Sequence, residues 1–160
     1  MSIVRDEMLN KLPPIVKIYE AYSAIADERI ILHADRAAVL SSDRSKEYNV
    51  TWDGNTYASD DNGTYWQGYA GYPVIAVLME QEKLPLDVRI ASYFAGVNWT
   101  ELNAKYKRDY AKAAAAVLDR LECGDGEKEQ ILAEVHRVYE AIKLLDIKVK
   151  RGSPYRPKKA

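Results

Sequence analysis

Glu47-Tyr48-Asn49-Val50-Thr51-Trp52-Asp53-Gly54-Asn55-Thr56-Tyr57-Ala58-Ser59 is the stretch that decides the fold. In an extended strand successive side chains alternate faces, so Tyr48, Val50 and Trp52 share one side and Glu47, Asn49 and Thr51 the other. Asp53-Gly54 is a hairpin turn, because glycine reaches positive φ without a Cβ clash, and Tyr57-Ala58-Ser59 returns as the next strand. Upstream, residues 41–46 form a polar turn. Ahead of that turn, residues 29–33 and 37–42 are short, β-branched or apolar stretches that read as strands. The expected sheet is a small antiparallel hairpin or meander over about residues 29–60.

Helices flank this sheet and make up most of the chain. Pro13-Pro14 stops a short amphipathic segment at residues 4–12, and Ile15, Ile18, Tyr19, Tyr22, Ile25 and Ala26 then recur at helical spacing to about residue 27. Pro73 suits a first helical turn, which predicts a short apolar helix to about Glu82; Asp87 caps another to about Phe94. Leu102, Tyr106, Tyr110, Ala113, Val117 and Leu121 make one stripe of a long helix from about Trp99 to Glu122, supported by the run of alanines at 113–116. After a turn at residues 123–126, Ile131, Val135, Val138, Ile142 and Leu145 define a last helix. These two should close the molecule as an antiparallel helical pair. The expected class is α+β with a helical majority: one globular domain over residues 1–147, with a helical region at 86–147, and a flexible basic tail at 148–160.

Seven aromatic rings lie between Tyr48 and Tyr72: Tyr48, Trp52, Tyr57, Tyr65, Trp66, Tyr69 and Tyr72. Four of them fall in or beside the Gly-rich connection at residues 63–72, which must either pack or bind. Its order of hairpin, Gly-rich loop and Ile75-Ala76-Val77-Leu78 helix start resembles the SWIM zinc-finger family over about residues 38–79. In that family the hairpin carries C-x-C and the helix start C-x-H. On that pattern the ligand positions fall on Tyr57, Ser59, Gly71 and Pro73, none of which binds zinc, so the resemblance is to a degenerate, metal-free form. It implies a non-catalytic binding module whose partner is DNA or another protein. A structural zinc contributes an apparent ~10–16 kcal/mol to a finger, whereas a buried aromatic ring gives about 1.5–3 kcal/mol, so the flanking helices must supply the difference.

Composition narrows the function classes. The 160 residues, 48% of them hydrophobic and 29% charged, suffice for one core without staples. The single cysteine, Cys123, forms no internal disulfide, and His33 and His136 do not complete a zinc site. No metal and no cofactor is expected. Apolar runs are too short for a membrane span, and a reducing, cytoplasmic setting fits. There is no G-x-S-x-G, P-loop or H-E-x-x-H signature, so no enzyme is expected; Asp53, Asp60 and Asp61 read as turn residues rather than cation ligands.

The net charge is −1, yet from Lys148 onward the chain carries six positive side chains and no negative one. Basic arms hold phosphates, and exposed rings stack on bases. The primary expectation is therefore a nucleic-acid-binding protein, most simply DNA-binding. Its candidate contacts are Arg44, Lys46, Trp66, Tyr69, Lys148, Lys150, Arg151, Arg156, Lys158 and Lys159, with Trp66 and Tyr69 facing out. The alternative is a protein-interaction or assembly module, a homo-oligomer included, that uses the C-terminal helical pair.

Overall fold

A computed structural model describes residues 11–152. It is an α+β structure in which a five-stranded mixed sheet packs against helices. Among the described residues helix α1 (Lys17–Ala26) comes first, entered through a Lys17 N–H to Pro14 carbonyl bond and closed where Glu28 takes φ of 53°. Strands β1 (Ile30–Leu32), β2 (Arg36–Leu40), β3 (Glu47–Asp53) and β4 (Thr56–Ser59) follow in antiparallel succession, with Trp52 opposite Tyr57 across the Gly54 turn. The alternation read from the sequence is the observed one: Val39, Val50 and Tyr57 lie on the inner face and are fully buried.

Beyond β4, residues Gly63–Gln67 wind into a single π-helical turn, and helix α2 (Tyr72–Glu80) begins behind Gly71 with Pro73 in its first turn. Helix α3 (Val88–Ser92) is capped by the Asp87 carboxylate, which accepts from the N–H groups of Arg89 and Ile90. Helices α1 and α2 are central. Eight consecutive residues of α1, 17–24, are buried, as are seven of α2, 73–79. A helix buried on every side is a core element rather than an amphipathic surface one, so the Lys17 and Glu20 inside α1 require partners.

Two expectations are corrected here. The long helix expected over residues 99–122 is two helices, α4 (Trp99–Lys105) and α5 (Tyr110–Arg120). Between them Lys107 and Arg108 adopt φ of 53° and 67°, Arg108 N–H returns to the Asn103 carbonyl, and Asp109 caps α5 through Lys112 N–H. Of the apolar stripe, Leu102, Ala113 and Val117 are buried on either side of the break, while Tyr106, Tyr110 and Leu121 are half-buried. Helix α6 (Asp125–Leu144) ends the helical region and buries Ile131, Val135 and Val138.

The second correction concerns the tail. Lys148–Arg151 is not the start of a flexible arm but strand β5, paired parallel to β4 with Tyr57 opposite Val149 and Ser59 opposite Arg151. The sheet order is β1-β2-β3-β4-β5. Among the described residues no helix is long and apolar enough to cross a membrane.

Candidate functional site

A cavity of about 580 Å³ opens where α1, the 41–46 turn, β3, the 61–72 connection and the α4–α5 break meet. Its depth holds four charged side chains that are almost fully buried: Lys17, Glu20, Arg29 and Asp61. Charges are seldom buried without partners, and three of the four are well held. Lys17 Nζ lies 3.1 Å from Glu20 Oε2 and 3.8 Å from the centroid of the Tyr110 ring. Asp61 accepts from the Ser59 hydroxyl and, at 3.1 Å, from Thr64 N–H. The Thr64 hydroxyl in turn accepts from Gly71 N–H, so one buried carboxyl ties β4, the π-helical turn and the start of α2 together.

Arg29 is the exception. Its backbone is fixed from both sides, N–H to the Ala24 carbonyl and C=O to Leu40 N–H, and its Nη1 donates to the Leu40 carbonyl at 2.6 Å. Nε and Nη2 have no hydrogen-bond partner among the described residues, with Asp27 Oδ2 3.7 Å from Nε. The side chain of Asn103, which also lines the cavity, leaves its buried Oδ1 unbonded.

Aromatic groups form the walls. Tyr72 meets Tyr48 edge-on at 6.3 Å, and burial pushes the Tyr72 phenol well above its ordinary value. Trp99 donates from its indole nitrogen to Ser23 Oγ, which donates onward to the Phe94 carbonyl, anchoring α4 to α1. At the rim Trp66 is 68% exposed, and Lys46 and Arg108 stand free in solvent. The guanidinium of Arg151 lies 5.0 Å from the Tyr65 ring centroid and 5.9 Å from that of Trp66.

The predicted contacts divide between this cavity and the rest of the surface. Lys46, Trp66 and Tyr69 line it, and Arg151 reaches its rim from β5. Tyr69 does not face out as expected: it is 8% exposed, because the connection folds back so that its ring packs into the wall. Arg44 bonds the Asp27 carbonyl outside the cavity, while Lys148 and Lys150 are exposed on β5. Arg156, Lys158 and Lys159 lie outside the described residues. Reasoning from sequence missed Lys17, Glu20, Arg29, Asp61, Asn103 and Arg108. For Lys17 and Glu20 a signal existed, since three-residue spacing set them on one side of a helix otherwise made of Ile, Tyr, Ala and Ser.

The family model described as Uncharacterised conserved protein UCP014422 matches residues 10–148. The chain belongs to that family. The matched span takes in every residue that lines the cavity, from Lys17 to Tyr110. No curated protein and no solved structure matches the chain.

The buried carboxyls give this family member a pH signature. Burial raises the Glu20 pKa against the opposing pull of Lys17 and Asn103, and raises that of Asp61 against its bonds to Ser59 and Thr64. Lys17 stays charged: burial alone would lower its pKa, but Glu20, Tyr110 and Tyr69 together hold it above its ordinary value. A carboxyl whose folded pKa exceeds its unfolded one stabilises the fold fully below about pH 4 and loses that contribution as pH rises through the folded value. The expected result is that Glu20→Gln and Asp61→Asn flatten the fall in urea midpoint between pH 4 and pH 7. Asp43, held at about 2 by the Ser45 hydroxyl, Ser45 N–H and Ser41, has the opposite sign: its contribution is complete above about pH 5 and is lost as pH falls toward 2.

Proposed function

We propose that this protein binds single-stranded nucleic acid through a metal-free, SWIM-like module, one nucleotide at a time entering the charged cavity. The observation that carries this reading is Trp66, a large ring left 68% exposed at the rim and flanked by the Arg151 guanidinium. Exposed rings of this kind stack on any base, at ~1–3 kcal/mol each, and neighbouring cations take the phosphates. Lys46 and Arg108 supply two further cations on the same rim. A cavity of about 580 Å³ falls in the size range that takes one small ligand, which favours a single nucleotide over a bound duplex. The reading is non-catalytic: it asks only for stacking and ion pairing at the rim.

Fluorescence anisotropy of labelled single-stranded DNA, single-stranded RNA and duplex DNA tests the proposal. With three to four cations engaged, single-strand affinity is expected to fall roughly 20- to 50-fold between 50 and 200 mM salt, from a slope of about −0.7 per phosphate contact. Duplex should bind more weakly than either single strand. Absence of single-strand binding at low salt would overturn the reading.

A second reading rests on α6, where Leu132 is 43% and Leu144 86% exposed. Such side chains favour a protein contact, a second copy of the chain included. Sedimentation of the wild type beside Leu132→Glu and Leu144→Glu tests it, since loss of a dimer in both variants is the expected outcome.

A further inference from the structure

Arg29 keeps one edge of its guanidinium free of hydrogen bonds, although the group pairs with Asp27 and lies 6.0 Å from the Tyr72 ring centroid. The guanidinium is 1% exposed and, among the described residues, donates a hydrogen bond only through Nη1. Nε and Nη2 are the two nitrogens whose N–H bonds run parallel along one edge of the guanidinium, the edge that grips two oxygens of one anion. Leaving that edge unbonded in the interior carries a desolvation cost that a purely structural arginine would avoid. Asp27 offsets part of the charge as an ion pair, but at 3.7 Å its oxygen stands beyond hydrogen-bond reach of Nε and leaves that N–H unbonded.

Resting on the single-strand reading above, we infer that Arg29 is the seat of a terminal phosphate monoester, so that the protein takes hold of the end of a strand. Three observations point to an end rather than a passing strand. The anion site lies deep, with Lys17, Glu20 and Asp61, whereas the stacking ring and free cations lie at the rim. A cavity of about 580 Å³ admits one nucleotide, and a terminus enters without needing a second opening to leave by. A monoester also presents three unesterified oxygens where an internal diester presents two, and it carries more charge. Three carboxyls lie nearby: Asp27 accepts from Gly96 N–H and stands 3.7 Å from Nε, so an anion must displace it from that edge, while Glu20 is held by Lys17 and Asp61 by Ser59 and Thr64, burial favouring the neutral form of these last two.

The test compares one short labelled single strand carrying a 5′-phosphate, a 3′-phosphate or hydroxyls at both ends. The matching nucleoside monophosphate and inorganic phosphate serve as competitors, and wild type is measured beside Arg29→Lys and Arg29→Gln. A phosphate at one of the two ends is expected to tighten binding at least 10-fold. That gain should vanish in Arg29→Gln and shrink in Arg29→Lys, which keeps the charge but loses the parallel pair. The wild-type comparison needs no variant, so a variant that fails to fold leaves the test intact. Equal binding of all three strands would overturn the seat at Arg29 while leaving single-strand binding in place. Binding of the monophosphate without any strand would overturn the strand reading and assign the same seat to a free nucleotide. Binding of neither would overturn both.

Discussion

Gly71→Ala should lower the thermal midpoint by roughly 6–12 °C, the equivalent of about 3 kcal/mol in a domain of this size. The reason is space and not backbone strain, for φ of −69° and ψ of 172° are open to any residue. A Cβ at this position would stand 1.9 Å from Asp61 Oδ2 and 2.7 Å from its carboxyl carbon. Nothing nearby yields cheaply, since Asp61 is a short side chain held by the Ser59 hydroxyl and Thr64 N–H in a buried site. Displacing it leaves buried donors unpaired, at about 1–3 kcal/mol each. A double-mutant cycle isolates the cause. Asp61→Ala should itself destabilise, but in that background Gly71→Ala should cost less than about 1 kcal/mol, because the atoms it strikes are gone. Equal losses in both backgrounds would show that the carboxyl is not what excludes a side chain at residue 71.

That contact also marks where sequence reading reaches its limit. The β2–β4 meander was legible because strand alternation and the Asp53-Gly54 turn are local signals, each contained in a few residues. β5 was not. Lys148–Arg151 offers one apolar side chain, Val149, and pairs with a strand far earlier in the chain, so a local reading sees only charge followed by Gly, Ser and Pro. The break at residues 106–109 was hidden by the alanines and the stripe on either side of it, although Asp109 was present as a cap. At the site, the rings announced themselves through density alone. The buried charges did not, because Lys17 and Glu20 three residues apart look like any solvated ion pair until the helix carrying them proves to be central. Asp61 read as turn chemistry, and its bond to Thr64 N–H is of that kind; its burial comes from packing that local sequence does not encode.

The sharpest functional contrast lies between two rings of the same connection, Trp66 and Tyr69. Trp66→Ala is expected to weaken single-strand binding by about 5- to 150-fold, the loss of ~1–3 kcal/mol of base stacking, while leaving the urea midpoint nearly unchanged, since its ring is 68% exposed. Tyr69→Ala should do the opposite. Its ring is 8% exposed and packs into the cavity wall within van der Waals reach of Gly63, so truncation leaves a void and costs about 3 kcal/mol of stability. Arg151→Gln refines the contrast. The guanidinium lies over both Tyr65 and Trp66, and among the described residues it is the one predicted cation that the fold carries from the far edge of the sheet to the rim. Its loss should reduce the salt slope by about 0.7, the share of one phosphate contact, with little change in stability. If Trp66→Ala unfolds the protein and spares binding, the ring is structural and the stacking model fails. If it spares both, the nucleic acid does not meet this rim. Loss of binding with stability retained, alongside the reverse in Tyr69→Ala, would locate recognition on the outer lip of the cavity and leave its buried charges to the strand end.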